Sequence, residues 1–106
     1  MSLYLWHVNY TVEGTKGLLK DGGTKRRATV QKMIEQLGGK LHGFYYAFGD
    51  YDAYLLVDLP DHASAAAISL SVFAAGGAQV KTTVLLTPED IDAATKKTVA
   101  YRAPGS

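Results

Sequence analysis

Hydrophobic residues along this chain cluster in four short runs that are rich in β-branched, aromatic and aliphatic side chains. Runs of this kind, bounded by Gly, Pro, Asn and Asp, are typical of β-strands. The pattern predicts strands over residues 3–10, 41–48, 53–59 and 80–86. Only Gly49-Asp50-Tyr51-Asp52 separates the second run from the third, and this short glycine-containing connection favours a hairpin.

The segments between these runs have a helical pattern. Apolar residues at i, i+3, i+4 and i+7 mark the first of them: Val30, Met33, Ile34 and Leu37. This stripe predicts an amphipathic helix that begins at the N-cap Thr24 and ends at the glycines of residues 38–39. Residues 65–75 predict an alanine-rich helix with Asp61 as its N-cap. A last helix is predicted after Thr87, where a cap residue, a proline and two acidic residues follow one another.

The elements follow the order β-α-β-β-α-β with a C-terminal helix, and a turn at Glu13-Gly14 ends the first strand. This is the order of the α+β, ferredoxin-like fold, in which a four-stranded antiparallel sheet carries both main helices on one face. The first strand has no polar face, since Trp6 and His7 stand among apolar side chains of both parities. Two helices cover one face only, so we expect a second subunit on the other, in a homodimer joined sheet to sheet.

Composition limits the size and the class of the protein. The chain has 106 residues, of which 47% are hydrophobic and 20% are charged, as in an ordinary globular domain. We expect one domain over residues 1–101 and a flexible tail over residues 102–106. The sequence contains no cysteine, which excludes disulfide frameworks, zinc ribbons and thiol nucleophiles.

The net charge and the absence of known motifs argue against binding to nucleic acid, metal ions or membranes. A formal net charge of +1 gives no general attraction to nucleic acid, and residues 53–59 lack the aromatic pattern of sheet-based RNA binders. The histidines have no metal-ligand spacing: His7, His42 and His62. We therefore predict no metal site and no cofactor. Neither a secretory signal nor an apolar segment of membrane-spanning length is present, so we expect a cytoplasmic protein without a membrane partner.

A concentration of basic residues around the start of the first helix is the main candidate for a site. A helix N-terminus behind a flexible Gly22-Gly23 attracts anions, and arginine adds bidentate geometry. We predict a small pocket between this helix and the hairpin. Five residues form it, with Arg27 and Lys16 as anion contacts, Tyr10 and Tyr46 as apolar walls, and Asp52 as an orienting acid. The alternatives are a solvated basic face and, for Asp52, a turn residue that binds backbone.

Two further hypotheses come from other functional classes. In the first, the protein is a small cofactor-independent isomerase or monooxygenase that uses His7 or Asp52 as its base. In the second, it is an interaction module without a ligand, and the aromatic residues of the strands lie in a subunit interface. The first hypothesis requires a base that faces a cavity, and the second requires an uncovered aromatic surface.

Several segments together resemble one family. Gly49-Asp50-Tyr51-Asp52, preceded by aromatic residues 44–48, is similar to the signature of the GYD domain family, and other segments agree in order and spacing: Asn9-Tyr10-Thr11, residues 17–23, Leu59-Pro60-Asp61 and residues 86–90. The resemblance implies a small bacterial protein whose fold is of the dimeric α+β barrel type. It implies no particular activity, because the family has none established and fold does not fix function.

Overall fold

A four-stranded antiparallel sheet with strand order β2-β3-β1-β4 organises the chain. The computed structural model describes residues 1–106. Its strands are β1 (Ser2–Tyr10), β2 (Lys40–Tyr46), β3 (Ala53–Leu59) and β4 (Ala78–Leu85). Its helices are α1 (Val12–Asp21), α2 (Gly23–Gln36), α3 (His62–Ala74) and α4 (Pro88–Thr95). The predicted α+β, ferredoxin-like sheet and the C-terminal helix are confirmed, whereas α1 is an additional helix.

Helix α1 replaces the turn that we predicted at Glu13-Gly14. The Thr11 hydroxyl accepts a hydrogen bond from Gly14 N at 3.1 Å and caps the helix. Gly14 is needed there for close approach, since a Cβ at this position would lie 1.8 Å from the carbonyl oxygen of Gly77. The sequence alone does not distinguish a glycine needed for a close backbone contact from a glycine needed for a turn, and the predicted turn was therefore wrong.

The start of α2 also differs from the prediction. Its N-cap is Gly22, which has φ +82° and provides no side-chain cap, and Thr24 lies inside the helix. The other two caps are as predicted. Asp61 accepts a hydrogen bond from Ser64 N, which lowers the pKa of its carboxyl, and Thr87 forms a capping box with Asp90.

Strand β2 ends at Tyr46, two residues earlier than predicted, because the chain turns at Phe48. Phe48 has φ +57°, in the left-handed region that no strand residue adopts. Strand β3 has the predicted limits, and its residues alternate strictly between buried and half-buried. The alternation shows that one face of β3 is fully covered, and the strand order places β3 in the interior of the sheet.

Helices α2 and α3 cover that face and form the core with it. Twelve residues are buried there: Tyr4, Trp6, Val8, Val30, Ile34, Ala53, Leu55, Val57, Leu59, Ala65, Ile68 and Ala78. None of them belongs to α1, β2 or α4. The folding free energy from apolar burial is therefore concentrated in three strands and two helices.

The opposite surface of the sheet, which we call the outer face, carries the other parity of each strand. Its side chains include Leu5 and His7 of β1 and Tyr54 and Leu56 of β3, and all four are half-buried. As the sequence predicted, β1 and β3 give this face aromatic and aliphatic side chains. The edge strand β4, however, contributes the exposed polar residues Gln79, Lys81 and Thr83. Neither α2 nor α3 lies on it, since both pack on the core side.

The C-terminal arm, residues 86–106, leaves the body of the protein. Every residue from 88 to 106 is exposed. The radius of gyration is 17.1 Å and the long axis measures 58 Å, whereas a compact chain of this length has a radius of gyration of about 13 Å. None of the helices has the length and apolarity required to cross a bilayer.

Candidate functional site

A cleft of about 350 Å³ lies between α1, α2, α3 and the end of the sheet. Its walls are mostly apolar and include Tyr10, Leu18, Met33, Val72, Ala75 and Ala78. Arg26 and Asp21 are the charged residues that line it. Apolar walls with few polar groups are typical of small-molecule sites, so this cleft is the candidate site.

The roof of the cleft is α1, and backbone contacts fix its position. Thr11 N donates to the carbonyl oxygen of Gly77 at 3.1 Å, and the Thr11 hydroxyl donates to that of Gly76 at 2.6 Å. Leu18 is half-buried toward the cleft, while no residue of α1 is fully buried. A Cβ at Gly17 would meet no atom within 4 Å, so Gly17 leaves open space in the cleft wall.

A smaller cavity of about 30 Å³ lies deeper in the protein. It shares Tyr10, Arg26 and Met33 with the cleft and is also lined by Trp6, so it forms the inner end of the same site. Trp6 is only 1% exposed, and its Nε1 has no hydrogen-bond partner in the protein. An unpaired buried donor costs about 1–3 kcal/mol, and this cost is removed by any acceptor that reaches the indole N–H.

Arg26 is the cation of the site. It is half-buried, and it takes part in none of the salt bridges, which join Lys16 to Glu13, Lys25 to Asp21 and His42 to Asp58. The other charged residue of the cleft, Asp21, has the Lys25 ammonium at 3.6 Å. A partly buried guanidinium without a carboxylate partner favours an anion beside it.

The Tyr46 phenol lies next to the first turn of α2. Its ring is 3.0 Å from the Cβ that a side chain at Gly23 would have, and its hydroxyl donates to Gly23 O at 3.4 Å. Burial and the neighbouring Tyr10 phenol raise the pKa of Tyr46 to about 12, although Arg26 and Arg27 act in the opposite direction. Tyr46 is therefore a neutral hydrogen-bond donor at physiological pH.

The N-terminus of α2 adds positive charge to the same region. Its cap residue, Gly22, contributes no side-chain acceptor, and Lys25, Arg26 and Arg27 follow in the first turns without any acidic residue. Positive side chains near a helix N-terminus are unfavourable, because the helix dipole is positive there. An anion near Arg26 would relieve this repulsion.

Asp52 holds the hairpin turn against β1. Its carboxylate accepts a hydrogen bond from Tyr10 N at 2.7 Å, its own N–H donates to Val8 O at 2.8 Å, and its carbonyl accepts from Ala47 N at 2.9 Å. These bonds place Asp52 where it fixes the backbone of Tyr10 at the end of β1. The side chain thus orients a wall of the cleft without lining it.

The remaining predicted residues lie away from the cleft. Lys16 is exposed on α1, with Glu13 at 3.8 Å. Arg27 is exposed and lines a separate groove of about 260 Å³ along the edge strand β2, beside Tyr45. His7 lies on the outer face, with its ring centroid 4.8 Å from that of Tyr51 and 5.4 Å from that of Tyr54.

Of the predicted residues, Tyr10 lines the cleft, whereas Tyr46 and Asp52 lie beside Tyr10 without lining it. The arginine of the cleft is Arg26, which the sequence analysis did not single out. A signal for Arg26 exists in the sequence. Arg26, Val30 and Met33 stand at i, i+4 and i+7 and so share a helix face. Arg27 likewise stands seven residues before the buried Ile34. The rotation of α2 about its axis, relative to the sheet, determines which of the two arginines faces the cleft.

The other histidines form pairs outside the site. His42 Nε2 and Asp58 Oδ2 are 2.7 Å apart, and the Tyr4 hydroxyl lies 2.6 Å from His62 Nδ1. No group of three or more His, Asp or Glu side chains is arranged to hold a metal ion.

Comparison with known families gives one match. A family model described as the GYD domain matches residues 4–95, from β1 to the last residue of α4. The match confirms the resemblance expected from the sequence. Comparison with curated proteins and with solved structures gave no match.

Proposed function

This chain belongs to the GYD domain family, and we propose that it is a homodimeric binding protein for a small, largely apolar organic anion held in the cleft beneath α1. The observation that carries the proposal is Arg26, a half-buried cation without a salt bridge in a cleft whose other walls are mostly apolar. The ligand class follows from that combination: one carboxylate for the guanidinium and an apolar body for the walls.

The size of the cleft limits the ligand. A volume of about 350 Å³ is at the lower end of the range of about 300–1,000 Å³ for small-molecule sites. A compact aromatic or short aliphatic acid fits this volume, with its apolar part against Met33 and Val72. A ligand with a second acceptor gains a hydrogen bond from Trp6 Nε1 if that acceptor reaches the inner cavity.

The homodimer in this proposal rests on the outer face of the sheet. The two central strands give that face an aromatic and aliphatic surface, formed by Leu5, His7, Tyr54 and Leu56, on which neither α2 nor α3 packs. Surfaces of this composition are typical of subunit interfaces. The cleft lies on the core side of the sheet, so ligand binding and dimerisation use different surfaces and can be tested separately.

The ligand hypothesis is tested with matched acids and amides. Benzoate and hexanoate are titrated against the protein, with benzamide and hexanamide as neutral isosteres. The chain has a single tryptophan, and because Trp6 lines the inner cavity, its fluorescence reports occupancy of the site. We expect at least one acid to change the fluorescence and to raise the melting temperature, while its amide does neither.

Two neighbouring arginines provide the variant and its control. Arg26→Gln should weaken acid binding by about tenfold or more, since a charge-assisted bidentate contact is lost. Arg27→Gln removes the same charge from the same helix outside the cleft and should leave binding unchanged. Equal effects of both substitutions would mean that only the net charge matters, and a complete lack of response to either acid would refute the proposed ligand class.

A further inference from the structure

The C-terminal arm carries bulky apolar side chains that its own chain does not bury. Leu86, Ile91, Val99 and Tyr101 are 66%, 48%, 77% and 76% exposed. Isolated apolar residues on a surface are ordinary, but here they follow one another along a segment in which every residue after Thr87 is exposed. Bulky apolar side chains that recur along one projecting arm favour an interaction surface there.

The short length of helix α4 also favours an interaction surface in the arm. It has eight residues, whereas isolated helices shorter than about 12–15 residues are marginal in water. The sequence nevertheless contains strong signals for the start of this helix, namely the capping box of Thr87 and Asp90 and Pro88 in the first turn. A short helix with strong caps and an unburied Ile91 requires another surface to pack against.

A concave surface lies at the foot of the arm. It has a volume of about 730 Å³ and is lined by Leu3, Leu56 and Leu85 of the sheet and by Leu86 of the arm. The sheet and the arm thus form two sides of one open concavity, which continues onto the outer face. Neither side is covered within the chain.

We propose that a second copy of this chain occupies the concavity, with each arm packed on the outer face of its partner beside the contact between the two sheets. The inference deepens the homodimer of the proposed function and rests on it. A second copy is the appropriate occupant because each chain carries both an unpacked arm and an uncovered sheet face. In a dimer with a two-fold axis, each chain covers the exposed arm and the sheet face of the other. The arm and the outer face together supply the roughly 20–30 residues per side that a stable interface uses.

Charge supports the same occupant. The first part of the arm is acidic, with Glu89, Asp90 and Asp92, and the later part is basic, with Lys96, Lys97 and Arg102. On the outer face, Lys81 of β4 pairs with His7 at one end of β1, while Asp58 at the other end already has Lys40 and His42 beside it. An arm that crosses a partner's face can therefore place its acidic part beside Lys81.

The first experiment measures the mass of the full chain by sedimentation equilibrium at micromolar concentration. We expect twice the chain mass of 11.4 kDa. Ile91→Asp in the arm should raise the dimer dissociation constant by about tenfold or more. Leu19→Asp is the control, because Leu19 is a helical leucine that is 82% exposed on α1, outside the arm. It should leave the dimer unchanged.

A second experiment locates the arm directly. A photo-cross-linking residue replaces Val99, and unlabelled and ¹⁵N-labelled chains are mixed before irradiation. We expect cross-links between labelled and unlabelled chains that map to the outer face of β1 or β3. Cross-links confined to a single chain would overturn the proposal, because they would show that the arm folds back on its own sheet.

Leu5→Asp separates this inference from the homodimer on which it rests. If Leu5→Asp dissociates the dimer and Ile91→Asp does not, the sheet-to-sheet dimer stands and the exchange of arms is refuted. If the unmodified chain is a monomer, the dimer and the inference both fail, while ligand binding is still read from Trp6. Should Leu5→Asp fail to fold, the cross-link map decides alone.

Discussion

The residues of the hairpin turn divide between the two faces of the sheet. Tyr51 packs against His7 on the outer face, while the Asp52 carboxylate accepts a hydrogen bond from the backbone of Tyr10 beside the cleft. A turn that contains both residues couples the end of β1 to the connection between β2 and β3. These contacts give the family signature a structural role in this chain.

Asp52 and Asp50 give the first residue-scale prediction. Asp52→Ala should lower the free energy of unfolding by about 1–2 kcal/mol, because the half-buried carboxylate accepts a hydrogen bond from Tyr10 N. Asp50→Ala, an exposed acid two residues away, should change it by less than about 0.5 kcal/mol. Urea unfolding of the two variants checks this, and equal stabilities would show that the bond contributes nothing.

Tyr46 predicts a dependence on alkaline pH. Burial raises the pKa of its phenol from 10.0 to about 12, so the folded chain holds this proton more tightly than the unfolded chain does. The contribution of Tyr46 to stability is therefore complete below pH 10 and is lost as the pH rises toward about 12. In Tyr46→Phe, the free energy of unfolding should fall less steeply across this interval than in the unmodified chain.

The control for Tyr46 is its neighbour on β2. Tyr45→Phe removes a phenol that is 72% exposed and should leave the alkaline slope as it is in the unmodified chain. Unfolding titrations at several alkaline pH values measure both variants. A slope in Tyr46→Phe identical to that of the unmodified chain would contradict the assignment.

Helix α1 is the element at which the sequence prediction and the structure differ most, because a turn was predicted there. Its two glycines, Gly14 and Gly17, and its low share of apolar residues argue against a helix from propensity alone. Position 14 must be a glycine because the backbone of Gly77 lies against it. This contact joins residues far apart in the sequence, so a prediction from neighbouring residues cannot detect it. Where the pattern was local, as in β3 or in the caps at Asp61 and Thr87, prediction and structure agree.

Gly17 provides a prediction at the scale of this element. Gly17→Leu should stabilise α1 by about 0.5–1 kcal/mol, because glycine is a poor helix former and a Cβ meets no atom there. The same side chain enters the cleft and should weaken benzoate binding by about tenfold. Lys16→Leu, one position away and outside the cleft lining, is the control that should keep full affinity. Undiminished affinity in Gly17→Leu would place the ligand elsewhere.

At the scale of the whole molecule, the sequence predicted the sheet, its covered face and its uncovered face. Of the five residues predicted for the site, Tyr10 lines the cleft and Tyr46 and Asp52 lie beside it, since strand ends and a hairpin can be placed from pattern. Arg26 could not be separated from Arg27, because one residue of helix rotation lies within the error of any sequence-based register. The projection of the arm was equally beyond reach, since the caps of α4 are local signals but the position of the helix relative to the sheet is not.

The absence of α1 and α4 from the buried core has a consequence for how this protein can diverge. Folding depends on twelve residues in β1, β3, β4, α2 and α3, whereas the roof of the cleft and the arm contribute none of them. If the cleft binds a ligand and the arm pairs with a second copy, as we propose, substitutions in the roof would change the ligand and substitutions in the arm would change the partner, with little cost to folding. Ligand choice and partner choice could then evolve independently on one scaffold.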